Sequence, residues 1–432
     1  MKKLINKNGV TPQSRSLSGG EPKSDEIARR VVGRRSFLKG LGATGAMLLP
    51  ASALLVNQAK AMPGDDSGGK LSKGDASILR FLCAAEILES DLWEQYWELG
   101  GLQPGAPQTI GKTNEDFEST NPATPGAKPK ITGGNTPYTN GLLILDGDMP
   151  QYIQDNTDDE FSHANFLLAY LKFKGANTAD LDLLVGPYFR TLPGSVATGS
   201  TKKGRLTNLT QLTIDTSYWG RYRTNNENPD LPLIPPNFKF AEAVPSLNIG
   251  RHTAIPRTDD DSNNTNLITA IAYTAGFHFG FIEQGGTSLY PSLAQRVSDP
   301  EVLRIVLSIG PTETMHFQTW QDKAGNADPT KFMNPQPVVD PNPINKNSTV
   351  TFTDLHASTD ETLQANLIMP EPTPFLDRKF PICSIIRPTN TTGAAMGAAM
   401  GLKADGLFMG QTQEFFQLLG DLATDADQAR RE

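Results

Sequence analysis

Cysteine is scarce in this chain: Cys83 and Cys383 are the two cysteines among its 432 residues. Two cysteines cannot form a disulfide framework, which excludes the small scaffolds held together by disulfides. Cys83 falls on a predicted core helix, where a buried free thiol is the expected state. The hydrophobic content of 38% and the mean hydropathy of −0.36 are typical of a soluble protein.

Positive charge is scarce outside the N-terminal region. Residues 1–39 hold ten Lys and Arg against three Asp and Glu, and Lys60 adds one more positive charge. The whole chain has a net charge of −8, so removing those eight net positive charges leaves a mature chain near −16. A protein this acidic is not expected to bind nucleic acid through phosphate contacts. It is compatible with metal cations as partners, although surface acidity alone does not indicate a metal site.

The N-terminal region carries a targeting pattern. The segment Gly33–Lys39 (GRRSFLK) precedes a moderately apolar stretch at 40–56 and the small-x-small motif Ala59-Lys60-Ala61. The segment resembles the twin-arginine export motif, and cleavage after Ala61 would make Met62 the first mature residue. The alternative is an uncleaved anchor, but a run of about 17 residues interrupted by Gly and Pro is weak for a spanning helix. The resemblance implies export of a folded protein to the periplasm or beyond, with no stable membrane span after cleavage.

Histidine is also scarce, and its placement is informative. Two of the five histidines lie three residues after a glutamate, as Glu160-Phe-Ser-His163 and Glu313-Thr-Met-His316. On a helix this spacing puts a carboxylate and an imidazole on one face, one turn apart. A single pair arises easily by chance, whereas a repeat among so few histidines is more telling. Two such helices, each joined by one glutamate from another helix, form the site of a di-metal carboxylate four-helix bundle.

The first helix of the predicted bundle begins near Asp75 and stops at Gly100-Gly101, with apolar residues recurring every three or four positions. Glu86 lies within that apolar stripe, where a carboxylate must be paired, coordinated or neutralised. Glu86 could instead lie at the edge of the stripe in solvent, and Glu89, one turn on, could also reach the interior. The neighbouring apolar residues put Glu86 nearer the stripe centre, so we choose Glu86.

Three further long helices are predicted, at 149–173, at 264–295 and from the N-cap Asp299 to about residue 322. Pro291 predicts a kink or restart in the third helix, and Gly310-Pro311 predicts a kink in the fourth. Glu283 lies 16 residues before Asp299 and Glu313 lies 14 after it. At about 1.5 Å per residue, both carboxylates lie roughly 21–24 Å from the turn between two antiparallel helices. They therefore meet at the same height, as a shared site requires.

The connections are long and rich in Pro and Gly. Residues 101–146 show no sustained period and predict a long loop. Residues 176–263 contain strand-like or apolar patches at 185–192, 206–214 and 238–241, which predict an insertion with some β structure. One long crossover between the second and third helices suits a ferritin-like bundle.

The segment after the fourth helix is predicted to be a loop-rich tail with one strand-like run at 348–353. Glycine recurs every four residues from Gly393 to Gly401, which on a helix would give a flat face for close packing. A membrane role for this segment is weak, because it is short and charges follow it. A last amphipathic helix, about Ala404 to Ala426, is expected to dock as a fifth helix. The predicted organisation is a signal at 1–61, a linker at 62–73, a bundle at 74–323 and a tail at 324–432.

Taken together, these motifs resemble the ferritin-like superfamily, and more closely the secreted ferritin-like domain proteins related to plant desiccation-associated proteins. That family's pattern is a first-helix Glu, a Glu-x-x-His helix, a Glu followed by a glycine-containing turn and an aromatic, and a second Glu-x-x-His. The third element corresponds here to Glu283–Tyr290. The resemblance implies a mainly α fold, a ferritin-like four-helix bundle with long insertions. It also implies two metal ions bound by Glu86, Glu160, His163, Glu283, Glu313 and His316.

Carboxylate and imidazole ligands suit iron or manganese, and iron is the expected metal. The leading hypothesis is an exported di-metal protein with oxidase, peroxidase or metal-handling activity. One alternative is a non-catalytic stress or desiccation-related protein whose metal is vestigial or only stabilising, and another is an enzyme resembling manganese catalase. Tyr170 and Tyr290 could donate hydrogen bonds to the ligands, but core aromatics are the favoured interpretation of both. The sequence leaves the substrate and oligomerisation open.

Overall fold

The computed structural model describes residues 69–102, 134–221, 241–334, 336–342, 344–345, 348–360, 363, 372–374, 379–385 and 392–431. The export signal expected at 1–61 and most of the expected linker lie outside these residues. The described chain is mainly α-helical, as predicted, and each of its β-strands is two or three residues long. None of the described helices is long and apolar enough to cross a bilayer.

The described α-helices, in chain order, are α1 Lys73–Gly100, α2 Thr136–Leu145, α3 Met149–Phe173, α4 Ala179–Val185, α5 Tyr218–Arg221, α6 Asp259–Asn263, α7 Thr265–Ala294, α8 Pro300–Ala324, α9 Ala394–Asp405 and α10 Gln413–Gln428. Short 3₁₀ turns occupy Pro245–Asn248 and Pro329–Lys331. The strands pair in three antiparallel ribbons: β1 Leu192–Pro193 with β2 Gly204–Arg205, β3 Val338–Val339 with β4 Thr349–Val350, and β5 Pro372–Pro374 with β6 Ile382–Ser384.

The four predicted long helices are α1, α3, α7 and α8, and their bounds agree closely with the prediction. Asp75, near which the first helix was predicted to begin as its N-cap, lies inside the first turn instead, and Ser72 caps the helix by accepting a hydrogen bond from the backbone N–H of Asp75. The Asp75 carboxylate instead accepts the backbone N–H groups of Ser298 and Asp299, both at 3.0 Å. This contact ties the start of α1 to the turn between α7 and α8. The helices run unbroken through Pro291 and Pro311, so the restart considered at Pro291 does not occur.

The long helices pack as two antiparallel pairs. In the α1–α3 pair, the Cys83 thiol contacts the carbonyl of Ala164, while Thr157 lies against the carbonyl of Trp93. In the α7–α8 pair, the Thr287 hydroxyl donates to the carbonyl of Glu313 at 3.0 Å. Apolar side chains from all four helices form one buried core, which Trp93 and Trp320 enter as stacked rings with centroids 5.3 Å apart. The metal-ligand candidates lie inside this core, between the two pairs.

The segment predicted as a loop at 101–146 ends in a helix, which corrects that prediction. Within the described residues, α2 packs against α7 and α3. Gly141 permits this packing, because a Cβ there would lie 2.8 Å from the Cβ of Ala272 on α7. Contact with α7 therefore stabilises a helix that its own short, glycine-containing sequence does not predict.

Within its described residues, 176–221 and 241–263, the insertion contains less β structure than expected. In the patch at 185–192, helix α4 ends at Val185 and only Leu192 joins a strand. In the patch at 206–214, a single bridge joins Leu212 to His252, and the apolar side chains are buried in the core. Residues 238–240 of the third patch lie outside the described part of the chain.

The C-terminal segment forms two helices where one was predicted. Helix α9 ends at Gly406, which adopts a left-handed conformation with φ of 95°. Leu407 and Phe408, predicted to lie within the helix, are buried in the turn that leads to α10. Helix α10 packs on α1 and on α9. The strand-like run at 348–353 contributes only the two residues of β4.

Candidate metal centre

The six side chains named from the sequence converge at one place between the long helices. Helix α1 supplies one carboxylate, α7 supplies another, and α3 and α8 each supply a carboxylate and an imidazole. The carboxylate residues are at most 1% exposed and the two histidines are 8% exposed. The set comprises Glu86, Glu160, His163, Glu283, Glu313 and His316. Their convergence places four carboxyl groups and two imidazoles in a buried core.

The six residues divide into two overlapping quartets, in each of which the candidate ligand atoms lie within 4.8 Å of one another. The first quartet is Glu86, Glu160, His163 and Glu313, and the second is Glu160, Glu283, Glu313 and His316. Glu160 and Glu313 belong to both quartets. The arrangement is therefore two adjacent candidate cation sites with two shared carboxylates, one terminal carboxylate each and one imidazole each.

Both histidines present Nδ1 to the carboxylates. The Nδ1 atom of His163 lies 3.3 Å from an oxygen of Glu86 and 3.4 Å from oxygens of Glu160 and Glu313. The Nδ1 atom of His316 lies 3.2 Å from oxygens of Glu160 and Glu283. His163 therefore faces three carboxylates through Nδ1, and His316 faces two. In each ring the Nε2 atom remains available for contacts that hold the orientation of the ring.

The Nε2 atoms of the two histidines contact polar groups at the edge of the site. His163 Nε2 lies 3.3 Å from the Thr312 hydroxyl, and His316 Nε2 lies 3.1 Å from the Asp159 carboxylate. Partners of this kind orient a ligating imidazole and select its tautomer. Both partners are adjacent in sequence to a candidate ligand, since Asp159 precedes Glu160 and Thr312 precedes Glu313.

Asn156 connects the two sides of the site. Its side-chain amide donates to Glu160 at 2.8 Å and to Glu283 at 3.0 Å, and its oxygen accepts the indole N–H of Trp320 at 2.7 Å. It lies four residues before Glu160 on α3, so it shares that residue's helix face. Sequence reasoning missed Asn156, although this spacing was a usable signal.

The two tyrosines considered from the sequence have different positions. Tyr290 is buried, and its hydroxyl donates to the Glu86 carboxylate, so it is both a core aromatic and a direct partner of a candidate ligand. Tyr170 lies away from the site, and its hydroxyl donates to Glu301 at 2.8 Å. The preference for a purely packing role is therefore wrong for Tyr290.

Glu313 is the least satisfied carboxylate of the site. Neither of its buried oxygens makes a hydrogen bond among the described residues, and the nearest donor is His163 Nδ1, 3.4 Å from Oε1. Glu86 Oε2 likewise makes no hydrogen bond and lies 3.3 Å from the same nitrogen. Gly286 of α7 makes room for it, because a Cβ at that position would lie 2.7 Å from Glu313 Oε2. Buried carboxylate oxygens without donors are costly unless a cation or a proton compensates them.

The electrostatics of the site follow from burial and crowding. Burial and the neighbouring glutamates raise the pKa of Glu313 well above its usual range, and they raise the pKa of Glu160 to about 7. Burial opposes the charged form of Glu86, but His163 and hydrogen bonds outweigh it and lower the pKa of that carboxyl. Burial likewise opposes protonation of His163, but Glu86 and Glu160 raise its pKa to about 10. Without a cation, therefore, the cluster retains protons near neutral pH.

Glu86 and Glu89 occupy different environments, which bears on the choice between them. Glu86 belongs to the first quartet, whereas Glu89 belongs to neither. Glu89 is partly exposed and lines a cavity on the other side of α1 and α7. Burial and three glutamates of the site, first among them Glu160, raise its pKa well above the usual range.

The buried Glu and His groups of the two quartets could hold a metal ion. Oxygen and imidazole ligands suit iron and manganese, and the absence of thiolate from the two quartets argues against soft-metal sites. The oxygens of Glu313, which make no hydrogen bond, lie in the position shared by both quartets, where a bridging ligand would accept two cations.

Comparisons with protein-family models, curated proteins and solved structures find no match to this chain.

Proposed function

We propose that this chain is a ferritin-like protein that holds two metal ions in its helical core. The observation that carries the proposal is the pair of quartets sharing Glu160 and Glu313. Glu86 and His163 would complete one ion's ligands, and Glu283 and His316 would complete the other's. Iron is the preferred metal and manganese the second, by the oxygen-rich donor set.

The charge balance of the core supports cations over an ordinary polar cluster. Four buried carboxyl groups meet two imidazoles, so full ionisation leaves a net negative charge in a low-dielectric interior. A polar core would satisfy its carboxylates with donors, as Asn156 does for Glu160 and Glu283. Glu313 makes no hydrogen bond through either oxygen among the described residues, and its one ion-pair contact there is with His163 at 3.4 Å. Two divalent cations would balance the charge and occupy those positions.

The helix arrangement supports the ferritin-like assignment. Two antiparallel pairs contribute ligands in the order Glu, Glu-x-x-His, Glu, Glu-x-x-His along α1, α3, α7 and α8. A long connection, from residue 174 to 264, joins the second helix of the first pair to the first helix of the second. One such crossover is characteristic of ferritin-like folds.

Bound iron or manganese would supply the electron-transfer steps with oxygen or peroxide that side chains cannot perform. The protein's own role is to position the ligand side chains and to keep them buried away from solvent. Asn156 holds two carboxylates, Tyr290 holds Glu86, and Asp159 and Thr312 orient the imidazoles. Such a centre suits an oxidase, a peroxidase or a metal-handling protein. The non-catalytic alternative keeps the same ligands with the metal as a stabilising element.

The proposal includes export by the twin-arginine route, which carries folded proteins and so permits metal loading before export. It rests on Gly33–Lys39 and the motif ending at Ala61. Replacing Arg34 and Arg35 together with lysine should leave precursor in the cytoplasm. Normal export of that double variant, or a mature N-terminus far from Met62, would contradict it.

The metal-binding proposal is tested by metal analysis of the chain and of His316→Ala, with His356→Ala as the matched control. His356 is exposed and contacts Asn326, outside both quartets. We expect two metal ions per wild-type chain, a reduced content in His316→Ala and no change in His356→Ala. Oxygen-consumption assays on the loaded protein then separate an oxidase from the non-catalytic alternative. A metal-free wild type with a melting temperature equal to that of His316→Ala would contradict metal binding altogether.

A further inference from the structure

A cavity of about 580 Å³ lies beside the candidate metal centre, between α1, α7 and α9. This volume is within the range of about 300–1,000 Å³ that is usual for small-molecule sites. Its walls are mostly apolar and include Phe81, Leu88, Phe281 and Leu289. Neither the ligand quartets nor the hydrogen bonds of the metal centre account for this space.

The inner wall of the cavity is one helical turn from the candidate ligands. Glu89 lines the cavity three residues after Glu86, and Gly286 lines it three residues after Glu283. Gly286 lines the cavity and also packs against the metal centre, because a Cβ there would lie 2.7 Å from Glu313 Oε2. Glu89 has no hydrogen-bond partner in the part of the chain that the structure describes. The cavity therefore approaches the site at Gly286 and Glu89.

The outer wall is the glycine-rich face of α9, and it does not pack as the sequence predicted. A flat face for close packing was expected, but a Cβ added at Gly393, Gly397 or Gly401 would meet no atom within 4 Å. Gly393, Gly397 and Gly401 all line the cavity. Gly397 and Gly401 are exposed, so they border the open side of the cavity, where a larger residue would fill part of it.

The charges around the cavity restrict what it can hold. The charged residues that line it are Glu89, Asp215 and Asp405, and the described lining contains no Lys or Arg. A phosphate, sulfonate or carboxylate placed there would meet these three acidic side chains with no Lys or Arg among the described lining residues to bind it. A neutral apolar molecule gains from burial against the Phe, Leu and Ala side chains.

We propose that this cavity binds a neutral, apolar organic molecule and presents it to the metal centre through Gly286 and Glu89. The role of that molecule as the centre's substrate rests on the metal-binding function proposed above. Binding of the molecule in the cavity does not depend on that metal-binding function, because the lining residues are outside both quartets.

The test uses two probes with the same aromatic skeleton and the full chain. N-phenyl-1-naphthylamine is neutral, and 8-anilinonaphthalene-1-sulfonate carries a sulfonate. Fluorescence titration should show binding of the neutral probe, with the sulfonate binding at least about tenfold more weakly. No binding of the neutral probe, or equal binding of the two, would overturn the proposal.

Gly397→Leu fills the cavity from α9, and Gly420→Leu on α10 is the matched control. Both glycines are helical with open space around the added Cβ, but Gly420 does not line the cavity. Gly397→Leu should weaken the neutral probe by about tenfold or more while metal content stays at the wild-type value. Gly420→Leu should bind the probe as wild type does. Wild-type affinity in Gly397→Leu would place the probe elsewhere and overturn the assignment.

A separate measurement tests whether the molecule bound in the cavity lies close to the metal. In ¹⁹F NMR, 1-fluoronaphthalene should give a broader line with manganese-loaded protein than with zinc-loaded protein, because only manganese is paramagnetic. Gly397→Leu should abolish the difference. Binding without manganese-dependent broadening would contradict the link to the centre. A chain that binds the neutral probe but no metal would instead retain the cavity and refute the metal function.

Discussion

Gly286 matters to the candidate site through the side chain it lacks. A methyl group there would lie 2.7 Å from Glu313 Oε2 and 3.0 Å from its Cγ, so the shared carboxylate would have to move. The adjacent Gly285 faces open space and provides a natural comparison. The same amino-acid change at neighbouring positions therefore separates an effect on the site from an effect on the helix.

We expect Gly286→Ala to lower metal content and Gly285→Ala to leave it unchanged. Both substitutions stabilise the helix by up to about 1 kcal/mol, because alanine has a higher helix propensity than glycine. Gly285→Ala should therefore unfold at a slightly higher temperature than wild type. Metal analysis and thermal unfolding of the two variants check this. Equal metal content in both would show that Glu313 does not need the space at Gly286.

Glu86 and Glu89 differ by one turn and are predicted to differ in function. Glu86→Gln should lose the ion on the His163 side and so lower metal content by about half, because Glu86 is the terminal carboxylate of that quartet. Glu89→Gln should keep both ions, because Glu89 faces the cavity. The reverse pattern of metal content would show that Glu89 is the ligand from α1.

Metal loading should release protons and become tighter as pH rises. Burial and neighbouring carboxylates raise the pKa of Glu160 to about 7, and the surrounding glutamates raise that of His163 to about 10 against the effect of burial. Protonated groups cannot ligate, so lowering the pH from 8 to 6 favours the proton over the metal. Calorimetric titrations in buffers of different ionisation enthalpy measure the released protons, with His316→Ala as the control. A pH-independent affinity without proton release would contradict this.

At the scale of helices and loops, the insertion after α3 is fastened to α1 by buried charge. Arg205 of β2 is fully buried and donates to Glu94 at 2.8 Å and to Glu98 at 2.6 Å. The backbone N–H groups of Leu206 and Thr207 donate to Asp91 on the same helix. These contacts hold the insertion against the helix that carries Glu86.

Arg205→Ala should therefore destabilise the fold by about 3–5 kcal/mol, because it leaves buried Glu98 without a cation and Glu94 with Lys203 alone. Adding Glu94→Gln and Glu98→Gln should recover part of the loss. Chemical denaturation of the single and triple variants measures the free energy of unfolding. A single variant as stable as wild type would show that solvent reaches Glu94 and Glu98.

The long helices were predictable because their signals are local: periodic apolar residues, N-caps such as Asp299 and stops at glycine. The Glu-x-x-His repeat, the equal heights of Glu283 and Glu313 and the place of Glu86 in an apolar stripe likewise gave the six candidate ligands. Helix α2, by contrast, is supported by contact between Gly141 and α7, which no local pattern encodes. The roles of Asn156 and Gly286 depend on distances between helices. The glycine spacing of α9 predicted a flat face for close packing, whereas in the structure these glycines meet no close neighbour and line a cavity.

At the scale of the whole molecule, one helical core serves two proposed purposes. Four helices enclose the ligand quartets, while α9, held by α10, leaves an apolar cavity against α1 and α7. The insertion contributes no candidate ligand among the described residues and instead buttresses α1. The acidic surface expected of the mature chain would favour approach of cations, and the ligands themselves are almost fully buried.

The most direct measurement is a crystal structure of the iron-loaded chain with anomalous diffraction data collected at the iron absorption edge. The account predicts two anomalous peaks per chain, both contacting Glu160 and Glu313. One peak should lie beside Glu86 and His163, and the other beside Glu283 and His316. A single peak, a peak outside the two quartets, or none after loading would contradict a two-metal centre.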